Sequence, residues 1–308
     1  MRIIFLGTPD FAVATLDALV QNKYNVIAVI TAPDKPAGRG QEIKFSDVKE
    51  YALQNNLPLL QPPNLKDELF VEHLKFLKAD LQIVVAFRML PEKVWNMPPL
   101  GTMNLHGSLL PQYRGAAPIN WAIINGEKTT GVTTFLLKHE IDTGNILFQK
   151  EVEITNDDDF GTMYYKLKTI GAGLVLKSIE KIIANDYKPI TQELLETSQL
   201  KHAPKLTKEL GKINCENDVE DIHNLIRGLA PIPCAYYDFI DAKGKSTQLK
   251  IYKSSTEKIQ NLEAGKFITD NKTFLKLSCT NGNLLILELQ LQGKKRMKID
   301  EFLRGYKF

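Results

Sequence analysis

The segment Arg2–Asp10, RIIFLGTPD, decides how the first part of this chain folds. Its apolar run Arg2–Gly7 predicts a short strand. Residues 8–10, TPD, predict the start of a helix, because proline is favoured in the first helical turn after a capping residue. From Phe11 to Gln21 apolar residues then recur at helical spacing. The segment therefore predicts a strand, a tight turn and a helix.

Strands alternate with helices along the rest of the first two-thirds of the chain. This alternation predicts an α/β fold with a Rossmann-like, doubly wound, mostly parallel sheet. Ligands of such sheets bind in the crevice at the carboxyl ends of the strands. The predicted strands are Val26–Ile30, Leu57–Leu60, Leu81–Phe87, a strand ending at His106, Gly131–Leu137 and Ile146–Ile154, and the further helices are Ser46–Asn55, Leu65–Lys78 and Phe160–Ala184.

The turn after the first strand argues against a dinucleotide site. A dinucleotide-binding turn needs glycines at three fixed positions, so that the pyrophosphate can approach the backbone. The turn 7–12 has one glycine, Gly7, and a proline where the second glycine should be. An NAD-binding function is therefore not expected.

After residue 185 the pattern changes. Residues 189–207 are polar and weakly periodic, as a linker is, and Asn217–Leu229 predicts one amphipathic helix. Short strands separated by hairpin signals then predict a small C-terminal β-barrel, for which the OB-like barrel is a candidate. We predict domains at 1–188 and 208–308 with a linker at 189–207. The predicted barrel strands are Cys234–Ile240, Gln248–Tyr252, Phe274–Cys279 and Leu284–Leu291.

Composition narrows the class of protein. The 308 residues are 44% hydrophobic and 24% charged, which excludes a disordered or collagen-like chain. No apolar run reaches the ~20 residues that a membrane helix needs. Three widely separated cysteines are typical of buried thiols in a reducing cytoplasm. The net charge of +3 is uneven: residues 201–308 hold 19 basic and 13 acidic side chains, which indicates an anionic partner there.

The segment Asn104–Gly115, NLHGSLLPQYRG, carries the most unusual chemistry. In a strand, residues i and i+2 share a face, so Asn104 and His106 point the same way. An amide and an imidazole at a carboxyl strand end suit a reaction that develops an oxyanion, because both can donate a hydrogen bond to it. Asp142, before Thr143-Gly144, is either a turn residue or the carboxylate partner that keeps His106 protonated and relays a proton.

Together these stretches resemble the 10-formyltetrahydrofolate-dependent formyltransferase family, whose signature is Asn-x-His, then Ser-Leu-Leu-Pro and, further on, Asp-x-Gly. Asn104, His106, Ser108–Pro111 and Asp142–Gly144 match it. Within the family, the chain is similar to the members that act on methionyl-initiator tRNA. Further matches span the whole chain, at residues 1–12, 33–40, 113–119, 203–209 and 302–306.

The resemblance implies transfer of a formyl group from 10-formyltetrahydrofolate to the α-amino group of methionyl-initiator tRNA, with tetrahydrofolate as the other product. It implies Asn104, His106 and Asp142 as catalytic residues, no metal, a cytoplasmic location and a monomer. Many relatives carry Tyr-Gly where this chain has Phe87-Arg88. The folate contacts implied are Ser108, Leu109, Leu110, Pro111, Phe87, Met89 and Leu90.

The resemblance also implies two tRNA-binding regions. The loop Thr31–Lys44 follows a strand and, at about fourteen residues, is longer than such connections usually are. In the family it wedges against the acceptor stem near the charged 3′ end. Basic residues of the barrel would hold the phosphate backbone elsewhere. The residues implied are Lys35, Arg39 and Lys44 in the loop, and Lys205, Lys208, Lys294, Lys295, Arg296 and Lys298 beyond it.

Three other functions remain open at this point. The same donor and catalytic set could formylate a small amine, such as a glycinamide ribotide or an amino sugar nucleotide. With water as the nucleophile, it would hydrolyse formyltetrahydrofolate. A non-enzymatic RNA-binding adaptor is the alternative from a different class, although such a protein has no need of three groups suited to acyl transfer.

Overall fold

The apolar segment at the N-terminus forms the first strand of the computed structural model, as its sequence predicts. The structure describes residues 1–37, 42–195, 199–241, 244–259 and 263–308, so Arg39 of the predicted tRNA loop lies outside the described residues. Contacts group the chain into two units. The first unit comprises Met1–Gly115, Thr130–Val152 and Tyr164–His202, and the second comprises Ala116–Thr129, Glu153–Met163 and Ala203–Phe308. Our predicted boundaries at 188 and 208 remain a proposal.

The strands and helices predicted for the first two-thirds of the chain are present in the predicted order, with small differences at their ends, and the structure adds three short strands and two short helices that the sequence pattern did not predict. The strands are β1 (Arg2–Gly7), β2 (Asn25–Ile30), β3 (Lys35–Ala37), β4 (Glu42–Lys44), β5 (Leu59–Leu60), β6 (Leu81–Val85), β7 (Thr102–His106), β8 (Arg114–Gly115), β9 (Thr129–Leu136) and β10 (Ile146–Glu153). The helices are α1 (Asp10–Gln21), α2 (Asp47–Gln54), α3 (Glu68–Leu77), α4 (Glu92–Trp95), α5 (Pro118–Ile124) and α6 (Phe160–Ile183).

The main sheet has the strand order β10-β9-β7-β6-β1-β2-β5. Neighbours from β7 to β5 are parallel, and β9 pairs with β7 in the antiparallel direction. The first strand lies inside the sheet, and the chain winds outward from it in both directions. The mostly parallel, doubly wound α/β sheet is therefore confirmed.

Both faces of the sheet are covered. In β1 the side chains of Ile4 and Leu6 point to one face, where they pack in a cluster with Val71 and Leu74 of α3. The alternate residues of β1 point to the other face and are equally inaccessible to solvent. A strand that is buried on both sides needs a continuous apolar run, which is the pattern that predicted it.

The second unit contains an antiparallel sheet with the order β12-β13-β16-β15-β14, with β17 paired to β16. Its core is formed by the inward side chains of these strands, the apolar face of α7 and Phe302 and Leu303 of α8. The small C-terminal barrel is therefore confirmed. Its elements, with the short β11 before them, are β11 (His202–Ala203), α7 (Val219–Leu229), β12 (Ala235–Ile240), β13 (Ser246–Lys258), β14 (Phe267–Thr269), β15 (Leu275–Cys279), β16 (Gly282–Leu291), β17 (Met297–Lys298) and α8 (Ile299–Leu303).

The sequence pattern missed a small hairpin inside the segment Thr31–Lys44. Strands β3 and β4 pair antiparallel, with Lys35 opposite Lys44. Three-residue strands have too short an alternation to be recognised from sequence. No helix among the described residues is long and apolar enough to cross a membrane.

Candidate active site

Three strand ends place the candidate residues at one edge of the sheet. Strands β1, β6 and β7 are parallel neighbours, so their carboxyl ends at Gly7, Val85 and His106 lie side by side. A side chain at Gly7 would collide with Ala12, because a Cβ there would come within 2.6 Å of it. The turn after β1 is therefore tight, and the longer loops after β6 and β7 shape the site.

Asn104 and His106 lie on β7 and share a face, as predicted. Asn104 is half-buried, and no hydrogen bond within the described part of the chain occupies its amide. His106 is 6% exposed, and its Nε2 lies 2.9 Å from the carbonyl oxygen of Tyr113. Since a carbonyl oxygen only accepts, Nε2 carries the hydrogen in this contact. The arrangement leaves one free amide beside an imidazole whose orientation is fixed.

Asp142 comes to the same place from the loop between β9 and β10. Its Oδ2 accepts a hydrogen bond from the backbone nitrogen of Gly115 at 3.0 Å and lies 3.9 Å from Nδ1 of His106. That separation is too long for a hydrogen bond but well within the range of a charge interaction. The structure thus brings together the three residues that the sequence singled out, Asn104, His106 and Asp142.

The loop after β7 is held by a hydrogen bond of its own and by hydrogen bonds from β9 and β10. Ser108 is fully buried, and its hydroxyl donates to the carbonyl oxygen of Gln112 at 2.7 Å. The hydroxyl of Thr133 donates to the carbonyl oxygen of Ser108 at 2.6 Å, and the Gln149 amide donates to the carbonyl oxygen of Leu110 at 2.9 Å. Leu110 and Pro111 are also buried. The side chain of Ser108 therefore shapes the loop, and Leu109 is the more accessible of the four predicted folate contacts.

The segment after β6 departs from relatives at Arg88, and the structure shows where that side chain goes. Its guanidinium donates to the carbonyl oxygens of Pro62 and Pro63, and burial lowers its pKa from the ordinary value. The arginine thus ties residues 86–91 to a neighbouring loop. Met89 is 72% exposed and Phe87 is half-buried, which leaves apolar surface for an aromatic ring, while Leu90 is buried in the core.

Polar contacts hold the residues next to the hairpin β3–β4. The Lys49 ammonium donates to Asp34 at 2.5 Å, and the Gln61 amide donates to the same carboxylate at 2.8 Å. These two donors hold the pKa of Asp34 below its usual range. The Lys49 ammonium also lies 3.7 Å from the centre of the Phe45 ring. Both ends of the hairpin are therefore anchored, while Lys35 and Lys44 remain exposed.

The predicted barrel cations are all exposed, but one of them already has a partner. Arg296 makes two hydrogen bonds to Glu288, at 2.8 and 2.7 Å, and stacks on the ring of Tyr252 at 4.2 Å. This pairing lowers the pKa of Glu288. The remaining predicted residues, Lys205, Lys208, Lys294, Lys295 and Lys298, present their ammonium groups to solvent.

Sequence reasoning missed the role of Tyr113, since a backbone carbonyl leaves no signal in a residue pattern.

The polar composition of residues 189–207 gives no indication of a buried side chain, but Gln192 is fully buried. Among the residues that the structure describes, no group of three His, Cys, Asp or Glu side chains could hold a metal ion.

Comparisons with known proteins show the family of the chain. The formyl transferase family matches residues 1–179, and its C-terminal domain matches residues 205–307. The methionyl-tRNA formyltransferase of Bacteroides thetaiotaomicron is 52% identical over 100% of this chain and 96% of its own. HypX from Aquifex aeolicus, solved with tetrahydrofolic acid, is 20% identical with a TM-score of 0.65; the match covers 100% of this chain and 48% of that one.

A second solved structure has a similar fold. It is the N-formyltransferase from Helicobacter canadensis in complex with folinic acid and dTDP-3-aminofucose, which is 22% identical with a TM-score of 0.66. The match covers 93% of this chain and 98% of that one. The two family matches together account for most of both predicted domains, and the first contains all three candidate catalytic residues. The chain belongs to the formyl transferase family.

Proposed function

We propose that the chain transfers the formyl group of 10-formyltetrahydrofolate to the α-amino group of methionyl-initiator tRNA. The products are N-formylmethionyl-tRNA, which serves translation initiation, and tetrahydrofolate. The observation that carries this proposal is similarity over the full length of the chain, 52% identity with a methionyl-tRNA formyltransferase across both units. We expect the enzyme to work as a monomer in the cytoplasm, without a metal.

The site offers the groups that such a transfer needs. The donor supplies a formyl carbon; the amine nitrogen forms a bond to it while the bond to N10 of the folate breaks. Asn104 donates its amide hydrogen to the formyl oxygen, which gains negative charge as the amine attacks. A donor aimed in advance at such an oxygen stabilises the transition state because it needs no reorganisation. Asn104 can donate this hydrogen bond because no group within the described residues occupies its amide.

His106 and Asp142 handle the proton that the amine loses. The Nε2 hydrogen of His106 is held by the carbonyl of Tyr113, which leaves Nδ1 as the ring position that exchanges a proton. Asp142 stabilises positive charge on the ring from 3.9 Å away. His106 can then accept a proton from the attacking amine and return it to the departing N10, so that the proton count balances.

The folate has a suitable place beside these residues. The segments 86–91 and 107–111 follow neighbouring strands, and the exposed side chain of Met89 and the half-buried Phe87 offer apolar contact to a ring system. The backbone of Ser108–Pro111 is fixed by hydrogen bonds from Thr133 and Gln149, so its remaining polar groups are held in place for the donor. We propose the seven folate contacts implied by the sequence on this basis.

Two features favour tRNA over a small amine or water. The anchored hairpin carries Lys35 opposite Lys44, and the second unit carries a run of exposed lysines around β17. A small acceptor has no use for either. Lysines of this kind bind phosphate through charge and contribute most of the salt-dependent part of nucleic-acid affinity. The N-formyltransferase solved in complex with dTDP-3-aminofucose is only 22% identical, so its similarity shows the fold alone.

The deciding experiment compares acceptors. Purified protein is given 10-formyltetrahydrofolate together with methionyl-initiator tRNA, charged elongator tRNA, a glycinamide ribotide, an amino sugar nucleotide or water alone. We expect rapid formylation of the initiator and no comparable turnover of the others. The proposal would be wrong in three cases. Faster formylation of a small amine would indicate a small-amine formyltransferase, and donor hydrolysis at the same rate without an acceptor would indicate a hydrolase. Binding of tRNA without turnover would indicate an RNA-binding adaptor.

The two basic regions should differ in what they contribute, as tests on Lys295 and Arg39 can show. Lys295→Ala removes an exposed phosphate-binding charge, so it should weaken the binding of many tRNAs alike and reduce the slope of log Kd against log salt by about 1. Arg39→Ala, in the loop Thr31–Lys44, should lower turnover of the initiator far more than it lowers general tRNA affinity. Filter binding across salt concentrations and steady-state kinetics measure the two effects.

Lys188→Ala serves as the control, because it removes an exposed lysine that lies outside both regions. It should leave the salt slope and the turnover unchanged. If Arg39→Ala and Lys295→Ala affected binding and turnover in the same proportion, the two regions would have one shared function, and the division of roles proposed for them would be wrong.

A further inference from the structure

Gln192 begins a 3-10 turn, Gln192–Leu195, in a stretch whose composition predicts a linker. Its side chain is completely buried. The Nε2 amide donates to the carbonyl oxygen of Asp142 and to that of Gly144, each at 2.8 Å. Its Oε1 accepts from Nε and Nη2 of Arg114, at 3.0 and 2.7 Å. A single side chain thus connects the loop of the catalytic carboxylate with the residue before Gly115.

The orientation of this amide is settled by its partners. Backbone carbonyls accept hydrogen bonds and never donate them, whereas a guanidinium donates and never accepts. The nitrogen of Gln192 must therefore face Asp142 and Gly144, and its oxygen must face Arg114. The terminal amide of glutamine combines an NH2 group with two donor hydrogens and an oxygen that accepts. No other side chain of similar length offers this combination, so these contacts require glutamine at position 192.

The loop that Gln192 holds adopts a conformation that needs support. Asp142 has a φ of +56°, in the left-handed region that residues other than glycine seldom occupy. A Cβ at Gly144 would lie 1.7 Å from the carbonyl oxygen of Leu136, so the backbone passes very close to β9 there. Gln192 donates hydrogen bonds to the carbonyl oxygens of these two residues, Asp142 and Gly144. They fix the direction in which the Asp142 carboxylate leaves the backbone.

We propose that Gln192 is a positioning residue for the formyl transfer, acting through Asp142. It holds the Asp142 loop from one side, and through Arg114 it holds the backbone whose Gly115 nitrogen donates to Asp142 Oδ2. The side-chain amide of Gln192 therefore takes part in both sets of hydrogen bonds that position the Asp142 carboxylate. This inference rests on the proposed function, since it assigns Asp142 its part in moving the proton.

Gln192→Glu separates this role from a general structural one. The glutamate keeps an oxygen for Arg114 and strengthens that contact, but it replaces the two donors by an oxygen that the carbonyls of Asp142 and Gly144 repel. We expect kcat to fall about 100-fold, the cost of misplacing a reacting group by roughly 1 Å. The KM for donor and tRNA should change little, because Gln192 contacts neither.

Two controls accompany this variant. Gln82→Glu makes the same change at another fully buried glutamine of the first unit, on β6 near the opposite end of the strands from His106. It should lower the thermal unfolding temperature without lowering kcat of the folded protein. The double variant Asp142→Asn with Gln192→Glu should be no slower than Asp142→Asn alone, because groups that act as a unit are not additive.

A readout without substrates keeps this inference apart from the proposed function. In the free protein, the backbone amides of residues 138–145 should exchange hydrogen faster in Gln192→Glu than in the wild type, and Gln82→Glu should leave their exchange unchanged. Unchanged exchange would overturn the positioning role whatever the enzyme acts on. If the loss of kcat in the double variant equalled the product of the losses in the two single variants, Gln192 would not act through Asp142. Wild-type protein that formylates no tRNA, with the exchange result intact, would overturn the proposed function alone.

Discussion

Asn104→Ala should lower kcat for formylation by about 100- to 1,000-fold, the usual cost of losing one donor to a developing oxyanion. The Asn104 amide makes no hydrogen bond within the described residues, so alanine breaks no hydrogen bond there. The lost interaction exists mainly in the transition state, and KM for the two substrates should therefore change little. Single-turnover formylation of charged initiator tRNA at saturating donor measures the effect.

Asn55→Ala is the matched control. Asn55 is exposed at the end of α2 and donates to the carbonyl oxygen of Tyr51 at 2.9 Å, away from the candidate site. Its loss should leave kcat unchanged. Near-normal turnover of Asn104→Ala, with the control also normal, would mean that the formyl oxygen is stabilised elsewhere, and that the assignment of Asn104 is wrong.

Much of the fold was predictable because its signals are local. The buried strands β1 and β6 consist mostly of apolar residues. Helix α3 shows helical spacing, and Asp67 caps it by accepting a hydrogen bond from the backbone nitrogen of Phe70. The predicted helix Leu65–Lys78 begins three residues too early, since the apolar pattern extends past the cap. The hairpin β3–β4 could not be predicted, because its two strands have three residues each.

The candidate site was predictable in part for the same reason. Asn104 and His106 share a strand, so their spacing alone places them on one face. The partner Asp142 entered through a family resemblance, and only the fold brings it within 3.9 Å of His106. Gln192 could not be found from sequence, because it contacts residues 50 and 78 positions earlier in the chain. Contacts at that distance depend on the whole fold.

Asp142→Asn should be the second damaging change, with a loss in kcat of roughly 100-fold or more, the range of general acid–base catalysis. Asparagine has the same shape, and its oxygen can still accept the hydrogen bond from the nitrogen of Gly115. The backbone contacts of Gln192 to residue 142 also survive, because they involve the carbonyl oxygen. What disappears is the negative charge facing Nδ1 of His106, so the loop should remain in place and turnover should fall.

Binding and turnover must therefore separate in this variant. Equilibrium titrations of Asp142→Asn with the folate donor and with tRNA should give Kd values close to those of the wild type, while single-turnover rates collapse. Asp186→Asn provides the control, because Asp186 is an exposed carboxylate paired with Lys181 at 2.5 Å and should have no effect on the rate. If Asp142→Asn weakened binding and left kcat intact, Asp142 would be holding a substrate, and the proton would have to move by another route than His106 with its carboxylate.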